Sequence, residues 1–256
     1  MEGRFLKYLL LFIFAFIAEL IDGGMGMGYG VSLTTLLISA GFGTVVSSAA
    51  VHMSEIVTSF ASGLSHYRLG NFDKKIFTYL VIPGVIGGIC GAYTAVQLKD
   101  TTIIRFVVAS ILLVLGLIII FRYSKKRGIL EREYSTPKVS RILPLGFAAA
   151  FIDAIGGGGW GPVAAPTLMI NNTNPKKAIG SVNFAEFFVT LAISITFFLS
   201  LPNIDWSIVI PMIFGGVISA PIAAHVTKKL SYRTLGIAVG TLIAMLSLRT
   251  ILMTLG

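Results

Sequence analysis

Along this chain, polar residues fall in short clusters, and apolar residues fill the intervals between them. A helix needs roughly 20 residues to cross a hydrocarbon core of about 30 Å. Six intervals meet that length: 45–64, 76–96, 101–121, 177–199, 206–225 and 231–254. Within the third, "IIRFVVASILLVLGLIIIF" (103–121) carries a single charge, Arg105, near one end. Two other places read differently. In each, an apolar run too short for a comfortable span leads into a glycine-rich stretch, and a second short run follows, at 29–40 and at 160–170. The alternation of apolar and polar positions that marks a membrane β-barrel is missing. The pattern predicts an all-α polytopic membrane protein.

Composition agrees. Hydrophobic residues make up 55% of the 256 positions and charged residues 12%, where soluble domains carry about 25% charged. The net charge of +9 suggests nucleic acid only until the basic residues are located. They cluster between apolar spans, as cytoplasmic loops of membrane proteins do, so no nucleic-acid partner is expected. The N-terminal "MEGRFLKYLLLFIFAF" has the look of a signal peptide, but its continuation recurs later in the chain, so a retained first helix is expected. Cys90, the one cysteine, is expected to be a packed core thiol.

The chain repeats itself. A shift of 131 lays "AELIDGGMGMGYG" (18–30) over "AAFIDAIGGGGWG" (149–161), so that Asp22 falls on Asp153 and Tyr29 on Trp160. Gly26, Gly28 and Gly30 fall on Gly157, Gly159 and Gly161. The same shift puts Glu55 on Glu186, and a shift of 128 lays "PGVIGGICGA" (83–92) over "PMIFGGVISA" (211–220). Two acidic pairs at one constant spacing are hard to obtain by chance. The expected organisation is a first transmembrane repeat at 1–121, a charged cytoplasmic linker at 122–141 and a second repeat at 142–256.

The short pairs predict a direction for each copy. If each is a glycine-tipped hairpin that enters and leaves on one face, each repeat crosses an odd number of times, and the second copy is inverted. With an external N-terminus, 15 of the 20 basic residues then fall in the four internal loops, 65–75, 122–141, 171–177 and 226–233. The positive-inside rule favours that arrangement, although Arg4 and Lys7 pull the other way.

Candidate chemistry follows. Interrupted segments at matching places in inverted repeats are the architecture of secondary transporters. Gly24, Gly26 and Gly28 in one copy and Gly157, Gly158 and Gly159 in the other allow a sharp reversal. The helices that follow would then point N–H groups at the tip, which suits an anion. Asp22 and Asp153 have two readings, capping those helix starts or contacting substrate. Glu55 and Glu186 lie mid-span, where carboxylates are functional candidates. Proton coupling and structural hydrogen bonding are both open for them. Trp160 and Asn183 complete the candidate substrate site. His52 stands one turn before Glu55, but the second copy has Asn183 in its place, so no metal site is expected. His66 and His225 fall near span ends, where interfacial packing is expected. The glycine runs lack the Lys-Ser/Thr of a phosphate loop. One conflict stands: two Asp and two Glu repel an anion unless they are neutral, and no Lys or Arg occupies the middle of a span.

At these residues the chain resembles the sulfite exporter TauE/SafE family of integral membrane proteins. The resemblance lies in "LIDGGMGMGYG", its repeat "IDAIGGGGWGP", and "NPKKAIGSVNFAE", which opens the next helix, and it covers nearly the whole chain. It implies export of a small sulfur-containing anion, such as sulfite or an organosulfonate, across a cytoplasmic membrane. No enzyme activity and no cofactor are expected, and a homodimer is left open. The first copy departs from the pattern, since "GFGTVVSSAA" lacks the Asn-Pro-Lys. The alternatives are a cation or metal-ion transporter using the carboxylates, and an intramembrane enzyme with Asp22 and Asp153 as a dyad.

Overall fold

The computed structural model describes residues 2–98, 102–124, 134, 137–201 and 204–255. Among them every regular element is an α-helix: α1 (Glu2–Met25), α2 (Tyr29–Ser39), α3 (Thr44–Arg68), α4 (Lys74–Gln97), α5 (Thr102–Ser124), α6 (Val139–Gly156), α7 (Trp160–Ile170), α8 (Pro175–Ser200), α9 (Trp206–Lys229) and α10 (Tyr232–Leu255). Six of the described helical segments are long and apolar enough to cross a membrane, in α1, α4, α6, α8, α9 and α10. The chain is a polytopic helical membrane protein. Of the linker, residues 125–133, 135 and 136 lie outside the described residues.

The helices begin where local chemistry starts them. Asp73 caps α4 by accepting from Lys75 N at 2.9 Å and Ile76 N at 3.2 Å. Asn174 caps α8 by accepting from Lys176 N at 3.0 Å, with Pro175 in the first turn, where its missing N–H costs nothing. The short runs after the glycines become helices of 11 residues each, as expected. The helices before them are longer than the apolar runs suggest. α1 has 24 residues and α6 has 18, about 36 and 27 Å at 1.5 Å per residue. Counting apolar residues underestimates them because α1 begins at Glu2 and runs on through Lys7, and α6 begins inside the charged linker.

Contacts give the running directions. Gly63 of α3 packs against Phe184 of α8, Gly180 of α8 against His66 and Asn71, and the His52 and Phe197 rings lie 6.0 Å apart. α3 and α8 therefore run antiparallel through the centre. α9 lies alongside α1, with Gly215 against Phe12 and Phe16, and Gly23 against Ala223. α4 lies alongside α6 in the same way, with Gly87 against Phe147 and Gly91 against Phe151. Each outer helix of one half is thus packed on the first helix of the other. Gly116 and Gly240 bring α5 and α10 together. Small residues permit close backbone approach where lipid supplies no hydrophobic drive.

Tracing these contacts assigns each loop to an end of the bundle. Lys176 Nζ donates to Lys228 O at 2.5 Å, Arg233 donates to Ser124 O at 3.2 Å, and Arg122 donates to Ile170 O. The loops 69–73, 171–174 and 230–231 and both flanks of the linker share that end. At the opposite end, the Lys7 ammonium lies over the Phe42 ring, 5.7 Å from its centre. Hairpin α1–α2 starts and finishes at this second end, where α3 begins. Hairpin α6–α7 starts and finishes at the basic end, where α8 begins.

The outer surface is apolar, with Ile82, Ile86, Tyr93, Phe198 and Phe214 exposed. Cys90 is exposed on α4 rather than packed in the core. Its neighbours Gly87 and Gly91 take the contact with α6, which turns Cys90 outward.

Candidate functional site

The two hairpins break at their glycines and meet. Gly26 and Gly28 have φ of 76° and 127°, and Gly157 and Gly158 have φ of 71° and 153°. These are left-handed conformations that glycine adopts without steric cost. A methyl group on Gly30 would stand 2.9 Å from Gly158 Cα, and one on Gly161 would stand 2.7 Å from Met27 Cα and overlap Gly26 O. The starts of α2 and α7 are therefore in backbone contact.

Both aspartates close the breaks. The Asp22 carboxylate accepts from Tyr29 N at 3.2 Å, and its carbonyl accepts from Gly26 N at 2.5 Å. Asp153 does the same for the second break, accepting from Gly159 N at 2.6 Å and, at its carbonyl, from Gly157 N at 2.7 Å. Its second oxygen is 3.0 Å from His52 Nε2. Glycine-rich tips of this kind leave N–H groups that a nearby carboxylate can satisfy, and each aspartate satisfies one beside the start of its short helix.

Neighbouring helices pin the tips. His66 Nε2 donates to Gly23 O at 2.7 Å, and Thr227 Oγ1 donates to Gly24 O at 2.8 Å. His66 is fully buried, holding a hairpin tip rather than packing at an interface, while His225 is exposed as expected. Thr34 donates to Gly157 O. The Trp160 indole donates to Val182 O at 3.1 Å and packs against Gly84, within the core. Asn183 accepts from Ser62 at 3.2 Å and donates to Ile179 O at 3.0 Å, bridging α8 to α3.

Glu55 and Glu186 are buried, and neither carboxylate has a hydrogen-bond partner among the described residues. Glu55 Oε1 lies 3.2 Å from the space a methyl on Gly30 would occupy. Both carboxylates lie within electrostatic range of Asp22 and Asp153.

A fifth acid joins them. Glu19 is 1% exposed, its Oε1 has no hydrogen-bond partner among the described residues, and it interacts with Asp22, Glu55 and Glu186. Its counterpart in the second half is Ala150, so comparing the copies hides it. The signal was a lone Glu inside "FAFIAELID", and an intramembrane acid is itself a site candidate. Among the described residues, His52 is the one basic side chain paired with any of the five. No group of three His, Cys, Asp or Glu among the described residues is arranged to hold a metal ion.

A cleft of about 90 Å³ borders the second break and the start of α2. Val31, Gly158 and Pro162 form its inner wall, with Leu112 of α5 and Ser247 of α10 facing them. The Ser247 hydroxyl is buried without a hydrogen-bond partner among the described residues.

The family model described as Sulfite exporter TauE/SafE matches residues 11–250. The chain is 38% identical over 248 residues to a protein described as "Probable membrane transporter protein YtnM" from Bacillus subtilis (strain 168), a match covering 94% of this chain and 83% of that protein. No solved structure matches the chain. With nearly its whole length matched, this multi-pass membrane protein belongs to the sulfite exporter TauE/SafE family of membrane transporters.

Proposed function

We propose that the protein is a secondary transporter that exports a small sulfur-containing anion, such as sulfite or an organosulfonate, across the cytoplasmic membrane. It works as two inverted-topology repeats, 1–121 and 142–256, joined by the cytoplasmic linker 122–141. The observation that carries this reading is the meeting of two helix starts, Gly30 against Gly158 and Gly161 against Gly26. A helix start offers unpaired N–H groups and the positive end of a dipole. That suits an anion where no Lys or Arg is at hand. Irregular backbone at membrane depth survives only where protein buries it or a wet cavity meets it, and the cleft beside Gly158 and Pro162 supports the second case. The antiparallel run of α3 and α8 supports inversion, since it sets the two hairpins in from opposite ends.

The anion binds at the tips, against the backbone of 24–28 and 157–160, with Asp22 and Asp153 fixing the breaks through Tyr29 N and Gly159 N and Asn183 beside them. Five acids around that site exclude an anion unless they carry protons. Glu55 and Glu186, with no hydrogen-bond partners among the described residues, are the proton-coupling groups. The test is flux of sulfite into liposomes under an imposed pH gradient, with binding followed by calorimetry. Glu55→Gln and Glu186→Gln are expected to keep sulfite binding and lose the dependence of flux on the gradient. If wild-type protein moves a divalent cation and ignores sulfite, and both variants lose that cation, the carboxylates are ligands and the anion reading fails.

Topology has its own test. After replacement of Cys90, single cysteines in the 122–141 linker should react only from the cytoplasm, and cysteines at both termini only from outside. A cytoplasmic C-terminus would overturn the inverted arrangement.

A further inference from the structure

The contacts of His52 call for one proton more than a neutral imidazole and a carboxylate can supply. His52 Nδ1 is 2.8 Å from Ser48 O, and its Nε2 is 3.0 Å from Asp153 Oδ2. A backbone carbonyl only accepts, so Nδ1 carries a hydrogen. The Ser48 hydroxyl stands 3.3 Å both from Ala154 O and from His52 Nδ1; donating its one hydrogen to the carbonyl leaves its oxygen to accept from Nδ1 as well. A neutral ring then has a bare lone pair at Nε2, and it faces a carboxylate oxygen, which also only accepts. Two acceptors at this distance need a proton between them. Whether that proton sits on nitrogen or on oxygen, the pair as a whole is neutral.

We propose that His52 and Asp153 together form a proton-binding site that holds one proton while the second hairpin is seated against α3. The pair links the two halves of the chain. His52 belongs to α3, and Asp153 closes the second break through Gly159 N at 2.6 Å. Loss of the proton leaves two lone pairs facing each other in a buried place, where His52 is 0% exposed, and adds a negative charge. The acids that interact with Asp153 are Glu55, one turn on along α3, Asp22 from α1 and Glu186 from α8, and Glu19 of α1 interacts in turn with Asp22. From α8 the Phe197 ring adds only an apolar wall. Deprotonation therefore pushes the second hairpin away from α3, and reprotonation draws it back. The first hairpin has no such device, because Asn183 stands at the position matching His52 and bonds to Ser62 and Ile179 instead of Asp22. Coupling of this proton to export rests on the transporter reading above; the proton itself does not.

Two measurements separate those claims. The chain has three histidines, so ring nitrogen NMR of histidine-labelled protein in nanodiscs identifies His52 as the signal lost in His52→Gln. A hydrogen on Nδ1 of His52, with Nε2 sharing or holding a second one, is the expected result. A His52 ring with a bare Nδ1 and its hydrogen on Nε2 overturns the proposal, whatever the protein transports. In liposomes, His52→Gln should retain membrane insertion and downhill sulfite flux but move fewer protons per sulfite than the wild type. Undiminished proton movement in His52→Gln also overturns the proposal. Absence of sulfite flux in the wild type, with the expected nitrogen signals present, removes the substrate assignment and leaves the proton site standing.

Discussion

Gly158→Ala is expected to abolish transport while leaving the chain inserted in the membrane. The new methyl would overlap Val31 N and stand 2.6 Å from Gly30 C and 2.7 Å from Val31 Cα. All three are backbone atoms on the first turn of α2, so no side chain can rotate aside. Overpacking of this kind costs roughly 1–3 kcal/mol, and a non-glycine residue held at the φ of 153° found here adds roughly 1–3 kcal/mol more. The strain acts where the two helix starts touch, so it should separate them instead of unfolding distant spans. Gly24→Ala, on the tip of the other hairpin, is the steric control, because a methyl there meets nothing within 4 Å. Liposome flux and thermal unfolding of both variants check this. Normal flux in Gly158→Ala would show that the tips do not act as a closed pair.

The sequence made the frame of this site readable and hid most of its wiring. The Asp22–Asp153 and Glu55–Glu186 spacings located the breaks because a repeat must preserve what its hairpin needs. The starts of α2 and α7 followed from the glycines, whose conformational freedom is a property of the residue itself. Glu19 escaped because it lies outside the shared pattern, with Ala150 at its counterpart position. His52 was read along its own helix, toward Glu55, since residues one turn apart share a face. Its partner Asp153 lies 101 positions away, and only the packing of α3 against the second hairpin brings them together. The direction of Cys90 was misread for a related reason. Within "GGICGAY" every position is small or apolar, and which face meets α6 depends on Phe147 and Phe151.

The two aspartates, equivalent by repeat, are expected to behave unequally. Asp22→Ala removes one acceptor from Tyr29 N at 3.2 Å, and loss of a helix cap costs about 1 kcal/mol. Asp153→Ala removes a shorter cap, to Gly159 N at 2.6 Å, and also strips His52 Nε2 of its partner in a fully buried place. Removing one member of a buried pair costs about 3–5 kcal/mol. Asp153→Ala should therefore unfold at a clearly lower temperature than Asp22→Ala in the same detergent. Asp153→Asn separates shape from charge. Its carbonyl can still accept from Gly159 N, and its amide can donate to a neutral His52 Nε2. The thermal stability of Asp153→Asn should lie close to wild type, because a neutral side chain there reproduces both bonds of a neutral pair. Its flux should lose the part of its pH dependence that comes from the shared proton, since the amide cannot release it. Equal destabilisation by Asp22→Ala and Asp153→Ala, with no rescue by asparagine, would mean that the carboxylates support the two tips alike and that His52 contributes nothing to the difference.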